Sequence, residues 1–214
     1  DIKTPITSIQ STAEGMLDGI IKKDEYKYYL ETICRQTTRL NKLVEELNYL
    51  TLSVKETDSA DKKETIFLDK LLIDCMSEFK LRAEKEQRDI FIKVIPENAK
   101  IVSNYNKMQR IIVNLLGNAF KYSPSGTKIE IVAEISDEIL SISIIDEGCG
   151  IKKEELDNIF KRLYRVEASR NMKTGGYGLG LAIAKQLAMQ LNGDIIVESE
   201  YGKGSTFTLK ILTK

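Results

Sequence analysis

Histidine is absent from the 214 residues, and only three cysteines and three prolines occur. Without His the usual partners in a zinc or other transition-metal site are missing, and Cys34, Cys75 and Cys149 are scattered without paired spacing. The chain therefore reads as one for a reducing, cytosolic compartment, with no zinc site. Charge of one sign is also lacking. With 32 basic against 32 acidic residues, nothing draws the chain as a whole to nucleic acid or an anionic membrane, so any polyanion must be bound locally. A small phosphate ligand fits that better. No apolar run approaches the length needed to cross a bilayer, and no charged-then-apolar leader opens the sequence. The first residue is Asp1, inside a segment of helical periodicity, so a longer parent protein is expected.

What is present divides by periodicity. From residue 1 to about 52, apolar residues recur at three and four: Ile2, Ile6, Ile9, Ala13, Leu17 and Ile20, then Leu30, Ile33, Leu40, Leu43 and Leu47. The polar run Lys22-Lys-Asp-Glu25 interrupts them and predicts an antiparallel helical hairpin. One hairpin cannot bury both seams. A homodimeric four-helix bundle covers them, the alternative being a hairpin laid on the rest of its own chain. Residues 53–65 are polar and without period, which reads as a linker and a possible hinge. Beyond them the patterns predict a helix near 68–86, strands near 89–95 and 99–102, and a helix near 106–122. Strands near 127–135 and 139–146, a helix near 179–192, and strands near 194–199 and 205–212 follow. The fold class is α+β: the hairpin, then an α/β sandwich over residues 66–214, with neighbouring strands paired antiparallel and helices on one face.

Three clusters carry the chemistry. Asn114, Asn118 and Lys121 are four and three apart, so on a helix they share a face, while Met108, Ile111, Ile112, Leu115 and Ala119 point to the core. Amide oxygens can meet a hydrated Mg²⁺ without adding charge, and an ammonium neutralises phosphate. The strand ending at Asp146 is followed by Gly148 and Gly150. That carboxylate can accept a hydrogen bond from an adenine amino group, which discriminates against the guanine carbonyl, while the glycines let backbone approach the base. Gly176, Gly178 and Gly180 open an apolar helix from Leu181, a geometry that forms an anion site. A Rossmann reading of this loop fails because the segment before Gly175 is charged and irregular where that motif needs a buried strand. The stretch from about 158 to 175 reads as a functional loop that can clip over a nucleotide through Phe160, Leu163 and Tyr164, with Arg165 or Arg170 reaching phosphate.

In this order the clusters resemble the ATP-binding domain of sensor histidine kinases, within the group that includes gyrase and Hsp90. Asn114–Tyr122 resembles the family's N box, Asp146–Gly150 and Gly176–Leu181 its glycine boxes, Phe160–Arg165 its F box, and Gly202-Lys-Gly204-Ser-Thr206-Phe207 its last glycine motif. The resemblance implies that ATP and Mg²⁺ are held by Asn114, Asn118, Lys121, Tyr122, Asp146, Gly148, Gly150, Phe160, Arg165, Gly176, Gly178, Leu179, Gly180, Leu181 and Thr206, with Asn118 on the metal. The opening Asp1-Ile-Lys-Thr4-Pro5 matches the segment that directly follows the phospho-accepting His. By resemblance that His stands just before Asp1, Asp1 orients its imidazole, and Thr4 orients water when the regulator is dephosphorylated. Pro5 lacks the amide that would bond the Asp1 carbonyl, so a bend is expected there. The family further implies a response-regulator partner and a cytoplasmic location on a membrane-bound sensor.

One position separates branches of that group. Members that hydrolyse ATP carry a Glu base four residues before the metal-binding Asn, and here that position holds Asn114. An amide cannot abstract a proton, so ATP should wait for a nucleophile other than water. The remaining alternatives are an ATPase clamp of the same group and a regulatory dimer that binds ATP without transferring phosphate. Leu163 and Tyr177 depart from the common pattern of the F box and the second glycine box, which bears on how the loop docks.

Overall fold

The computed structural model describes residues 3–52, 62–165 and 177–213, and the chain divides into two compact units at residue 55. In the first unit, α1 (Lys3–Leu17) and α2 (Tyr26–Leu52) form the predicted hairpin. A turn of 3₁₀ helix, Lys23–Glu25, starts the second leg, and the Tyr26 hydroxyl donates to the Met16 carbonyl at 3.0 Å to close the bend. Apolar side chains remain uncovered on the hairpin: Leu17 is 86% exposed and Ile20 77%. The bend expected beside Pro5 involves Asp1, which lies outside the described residues.

The second unit runs β1 (Glu64–Phe67), α3 (Leu68–Ser77), α4 (Lys80–Lys85), β2 (Ile90–Ile95), β3 (Lys100–Ser103), α5 (Tyr105–Tyr122), β4 (Ile129–Ser136), β5 (Ile139–Asp146), α6 (Gly180–Gln190), β6 (Gly193–Glu200) and β7 (Gly204–Leu212). Five strands form one sheet in the order β2-β4-β5-β7-β6. Alternation makes it two-faced: Ile129, Ile131 and Ala133 on β4 and Leu140, Ile142 and Ile144 on β5 are fully buried. Helices α3, α5 and α6 supply the opposing apolar layer through Leu71, Leu72, Met108, Ile111, Leu115, Ile183 and Leu187. This is the expected α/β sandwich.

Three expectations need correction. The helix predicted over 68–86 is two helices, broken at Glu78–Phe79, where Phe79 turns in to stack on Phe120 with centroids 4.8 Å apart. Strands β2 and β3 do not pair with each other. Strand β2 runs parallel to β4, while β3 pairs antiparallel with β1 as a separate two-stranded sheet. The linker therefore ends earlier than residue 65, because Glu64 and Thr65 already pair with Ser103 and Val102.

Candidate functional site

Helix α5 is started by Asn104, whose side chain accepts the Lys107 amide at 2.9 Å. Its apolar stripe is buried, so its polar face is turned along the edge of the helical layer. There Asn118 and Tyr122 border a cavity of about 220 Å³ together with Asp146, Gly150, Ile151, Arg165, Leu181, Tyr201, Ser205 and Phe207. The buried Nδ2 of Asn118 has no hydrogen-bond partner among the described residues. A buried amide left unpaired is costly unless a ligand satisfies it, and turning the amide over presents its oxygen instead.

Asp146 ends β5 and is only 7% exposed. One carboxylate oxygen accepts the Gly148 amide at 2.8 Å and the Ser123 hydroxyl at 3.4 Å. Burial raises its pKa. Hydrogen bonds from the Gly148 amide, the Ser123 hydroxyl and the Ser205 backbone, and the charge of Arg88, partly offset that. The turn after it is held from both sides: the Cys149 amide donates to the Tyr122 carbonyl at 3.2 Å, and the Gly202 amide donates to the Cys149 carbonyl at 2.8 Å. Gly150 has φ +64°, and a Cβ there would overlap the Glu200 carbonyl and lie 2.9 Å from the Tyr201 Cα. Only glycine lets the turn sit against the β6–β7 hairpin.

At the opposite end, the segment around Phe160 rests on α6. The Lys185 ammonium lies 4.8 Å from the Phe160 ring centroid, is paired to Asp194 at 2.6 Å, and donates to the Ile195 carbonyl at 2.9 Å. Arg162 donates to Gln186 at 3.3 Å, and the Tyr164 hydroxyl bonds Glu155. The Leu163 amide donates to the Gly178 carbonyl at 3.0 Å, and a Cβ on Gly178, φ +71°, would overlap the Tyr164 carbonyl. The two stretches flanking residues 166–176 are thus fastened together at the start of α6.

Of the sequence-predicted residues, Asn118, Tyr122, Asp146, Gly150, Tyr164, Arg165 and Leu181 border the cavity, as do Cys149, Ser205 and Phe207 of the glycine motifs. Gly148 lies just behind Asp146. Asn114 is one turn away, its Nδ2 donating to the Arg110 carbonyl at 2.9 Å and its Oδ1 facing Gly180, where an added Cβ would lie 3.0 Å away. Lys121 does not border the cavity; its ammonium lies 4.8 Å from the Tyr122 ring centroid. Leu179 is buried in the core, and Thr206 pairs with Ile145 and Glu198 while its neighbours Ser205 and Phe207 reach the cavity. Phe160, Gly178 and Gly180 form the α6 end without bordering the cavity. Thr4 is exposed on α1. Asp1 and Gly176 lie outside the described residues. Sequence reasoning did not name Ser123, Ile151, Lys152, Ile159 or Tyr201. Ser205 stood inside the last glycine motif, but its place at the cavity comes from its register opposite Asp146.

The model of the His kinase A (phospho-acceptor) domain matches residues 1–53, and that of the histidine kinase-, DNA gyrase B- and HSP90-like ATPases matches residues 103–214. The histidine protein kinase SaeS of Staphylococcus aureus is 40% identical over 215 residues, which is 99% of this chain and 60% of that protein. The chain thus spans about three fifths of the length of the curated relatives it matches. Among solved structures, the Acinetobacter baumannii histidine kinase AdeS is 25% identical with a TM-score of 0.81, over 99% of this chain and 96% of that one. The histidine kinase ThkA, solved in complex with the response regulator protein TrrA, shares the fold at 20% identity and a TM-score of 0.80, over all of this chain and 59% of that one.

Proposed function

As a phospho-acceptor domain joined to the ATPase fold, the chain belongs to the histidine kinases of the histidine kinase-, gyrase B- and HSP90-like family, and we propose that it is the catalytic core of a sensor kinase. In this reading a His immediately before Asp1 takes the γ-phosphoryl group of Mg-ATP. Its imidazole nitrogen bonds to the γ-phosphorus, the bond from that phosphorus to the bridging oxygen breaks, and ADP leaves with the electron pair. The phosphoryl group then passes to an aspartate of a response regulator.

The observation that carries the reading is one cavity that brings a buried carboxylate, Asp146, together with the unpartnered amide of Asn118. Asp146 receives the adenine amino group, and Tyr122, Ile151 and Leu181 supply apolar walls for the ring. Asn118 turns its amide oxygen to the metal, and Asn114, held by the Arg110 carbonyl, stands one turn away on the same face. Mg²⁺, when bound, would supply neutralisation of phosphate charge. Arg165, which borders the cavity, adds positive charge for the phosphates, Lys121 joins it by leaving the Tyr122 ring, and the first amides of α6 supply further donors. Asn114 cannot take a proton from water, so transfer to an imidazole is favoured over hydrolysis.

The uncovered apolar side chains of the hairpin support a four-helix bundle made with a second copy. A regulator receiver domain docks there, where Thr4 orients water in the reverse, dephosphorylating reaction. Among the described residues no helix is long and apolar enough to cross a membrane, and we assign the core to the cytoplasmic side of a membrane-anchored sensor. The test is incubation of the chain, extended by its native upstream residues, with γ-labelled Mg-ATP. Acid-labile label on the protein is expected, lost when the preceding His becomes Gln. Steady hydrolysis with no labelled protein would instead mark an ATPase, and nucleotide binding with neither would mark a regulatory dimer.

A further inference from the structure

Helix α5 ends in a way its sequence makes awkward. The carbonyl of Phe120 would normally receive the amide four residues on, but that residue is Pro124, which has none. Two guanidinium groups replace it. Arg82 donates to the Phe120 carbonyl at 2.8 Å, and Arg88 donates to it at 3.2 Å. Arg88 goes further, giving the Ser123 carbonyl a bond of 2.6 Å and the Thr127 hydroxyl one of 3.1 Å, with its Nε on Glu86 at 2.6 Å. Its side chain is 2% exposed, and its guanidinium carbon lies 5.3 Å from the Phe120 ring centroid. A buried guanidinium, its charge paired with Glu86 and one terminal nitrogen giving bonds to two carbonyls at the end of α5, is expensive to desolvate, and it fixes that terminus in direction as well as position.

The terminus is the base end of the site. Tyr122 borders the cavity, its carbonyl receives the Cys149 amide, and the Ser123 hydroxyl donates to Asp146. Arg88 holds the carbonyl of the residue whose hydroxyl touches the adenine-binding carboxylate. We propose that Arg88 is a positioning residue for adenine recognition: through Ser123 and Tyr122 it sets the aim of Asp146 and thereby the preference for ATP over GTP. The inference rests on the kinase reading of the cavity. The charge of Arg88 also favours the ionised form of Asp146, the form that accepts the amino group.

The test is calorimetric titration of the full chain with Mg-ATP and with Mg-GTP. Arg88→Met should lower the ratio of ATP to GTP affinity about tenfold, the size of one misaligned hydrogen bond to a charged group. Ile66→Val, a core change in β1 away from the cavity, lowers stability and should leave that ratio alone, which separates aim from general loosening. Ser123→Ala should lower the ratio as well, and the double variant should be no worse than Arg88→Met alone. An unchanged ratio in folded Arg88→Met, or full additivity with Ser123→Ala, overturns the proposal. If Arg88→Met does not fold, Thr127→Val, which removes one acceptor from the guanidinium, carries the test. A fall of about threefold is then expected, about half the free-energy change of a tenfold one, and no change refutes it. Wild-type chain without any preference for ATP would overturn the kinase reading of the cavity itself, whereas a preference kept by Arg88→Met overturns only the role of Arg88.

Discussion

Replacing Gly150 with alanine should unseat the turn on which the base end of the site is built. The residue sits at φ +64°, where an L side chain costs roughly 1–2 kcal/mol. The added methyl would also overlap the Glu200 carbonyl, with the carbon of that group at 2.7 Å and the Tyr201 Cα at 2.9 Å. These are backbone atoms of the β6–β7 hairpin, so no side chain can swing away, and the turn itself must lift. Lifting it strains the bond from the Gly202 amide to the Cys149 carbonyl and that from the Ile151 amide to the Ser199 hydroxyl, each 2.8 Å and each worth roughly 0.5–1.5 kcal/mol. Together the loss is about 2–5 kcal/mol, and for a unit of this size the midpoint should fall on the order of 10 °C. ATP affinity should fall with it, because Asp146 and Ile151 flank the turn. The control is Gly117→Ala in mid α5, where a Cβ meets nothing within 4 Å and helix propensity predicts a gain of roughly 0.5–1 kcal/mol. Melting curves and nucleotide titrations on both variants decide the matter. A Gly150→Ala protein melting within about 2 °C of wild type and binding ATP normally would refute the steric argument.

Asn118→Ala should abolish Mg-ATP binding while leaving the melting temperature near wild type, since it removes a buried Nδ2 that has no partner among the described residues; unchanged affinity by calorimetry would sink the pocket assignment. Asp146 predicts a pH dependence whose sign follows from its raised pKa. The folded value lies above the unfolded one, so through this group protonation stabilises the fold as pH drops through the raised value, while above it the buried carboxylate is a standing cost. In the proposed reading ATP is held by the ionised carboxylate, so affinity should fall over that same window, at a higher pH than an ordinary aspartate would give, and Asp146→Asn should flatten the profile; a flat wild-type profile would count against the assignment. Lys185→Met should raise the KM for ATP roughly three- to tenfold with little loss of stability, because it removes the cation over Phe160; Asp194→Asn should shift KM in the same direction, and steady-state phosphorylation rates check both.

The helices and the glycine turns were legible because their signals are local. The apolar spacing of α5, the alternation of β5 and the Gly150 turn each sit within a few residues of sequence. What was not legible depends on partners far along the chain. Phe79 gives no sign of ending a helix, and it does so because Phe120 is there to stack on. Glu64 and Thr65 look like linker because a two-stranded edge is made by backbone hydrogen bonds rather than by an apolar pattern. The parallel pairing of β2 with β4 needs the crossover through α5, which strand adjacency in sequence does not suggest. At the cavity, motif spacing singled out Asn118 and Asp146, which border it, and the last glycine motif included Ser205, but that Ser205 stands opposite Asp146 follows only from the β5–β7 register. Pro124 was the one local sign that the end of α5 needed an outside donor, and nothing in the sequence named Arg88 as that donor.

The two ends of the cavity are held by different kinds of force, and this decides how each responds to change. The base end is framed by backbone: β5 against β7, the Tyr122 carbonyl on Cys149, and the Cys149 carbonyl on Gly202. Backbone pairing there is shared with the core of the sheet, so a lesion loses stability and affinity together. At the start of α6, apart from the bond between Leu163 and Gly178, the contacts run through side chains: Lys185 to Phe160 and Asp194, Arg162 to Gln186, Tyr164 to Glu155. Such contacts are exposed or part-buried and are worth little to the fold individually. They can therefore be remade around a nucleotide's phosphates without disturbing the sheet, and lesions there should show in KM before they show in melting temperature. Helix α5 spans both regimes, with Asn114 facing Gly180 midway along it and Ser123 on Asp146 at its C-terminal end. On the proposed reading, a change in the aim of α5 moves base recognition and phosphate handling at once, and a buried, fully bonded arginine on its last turn resists such a change.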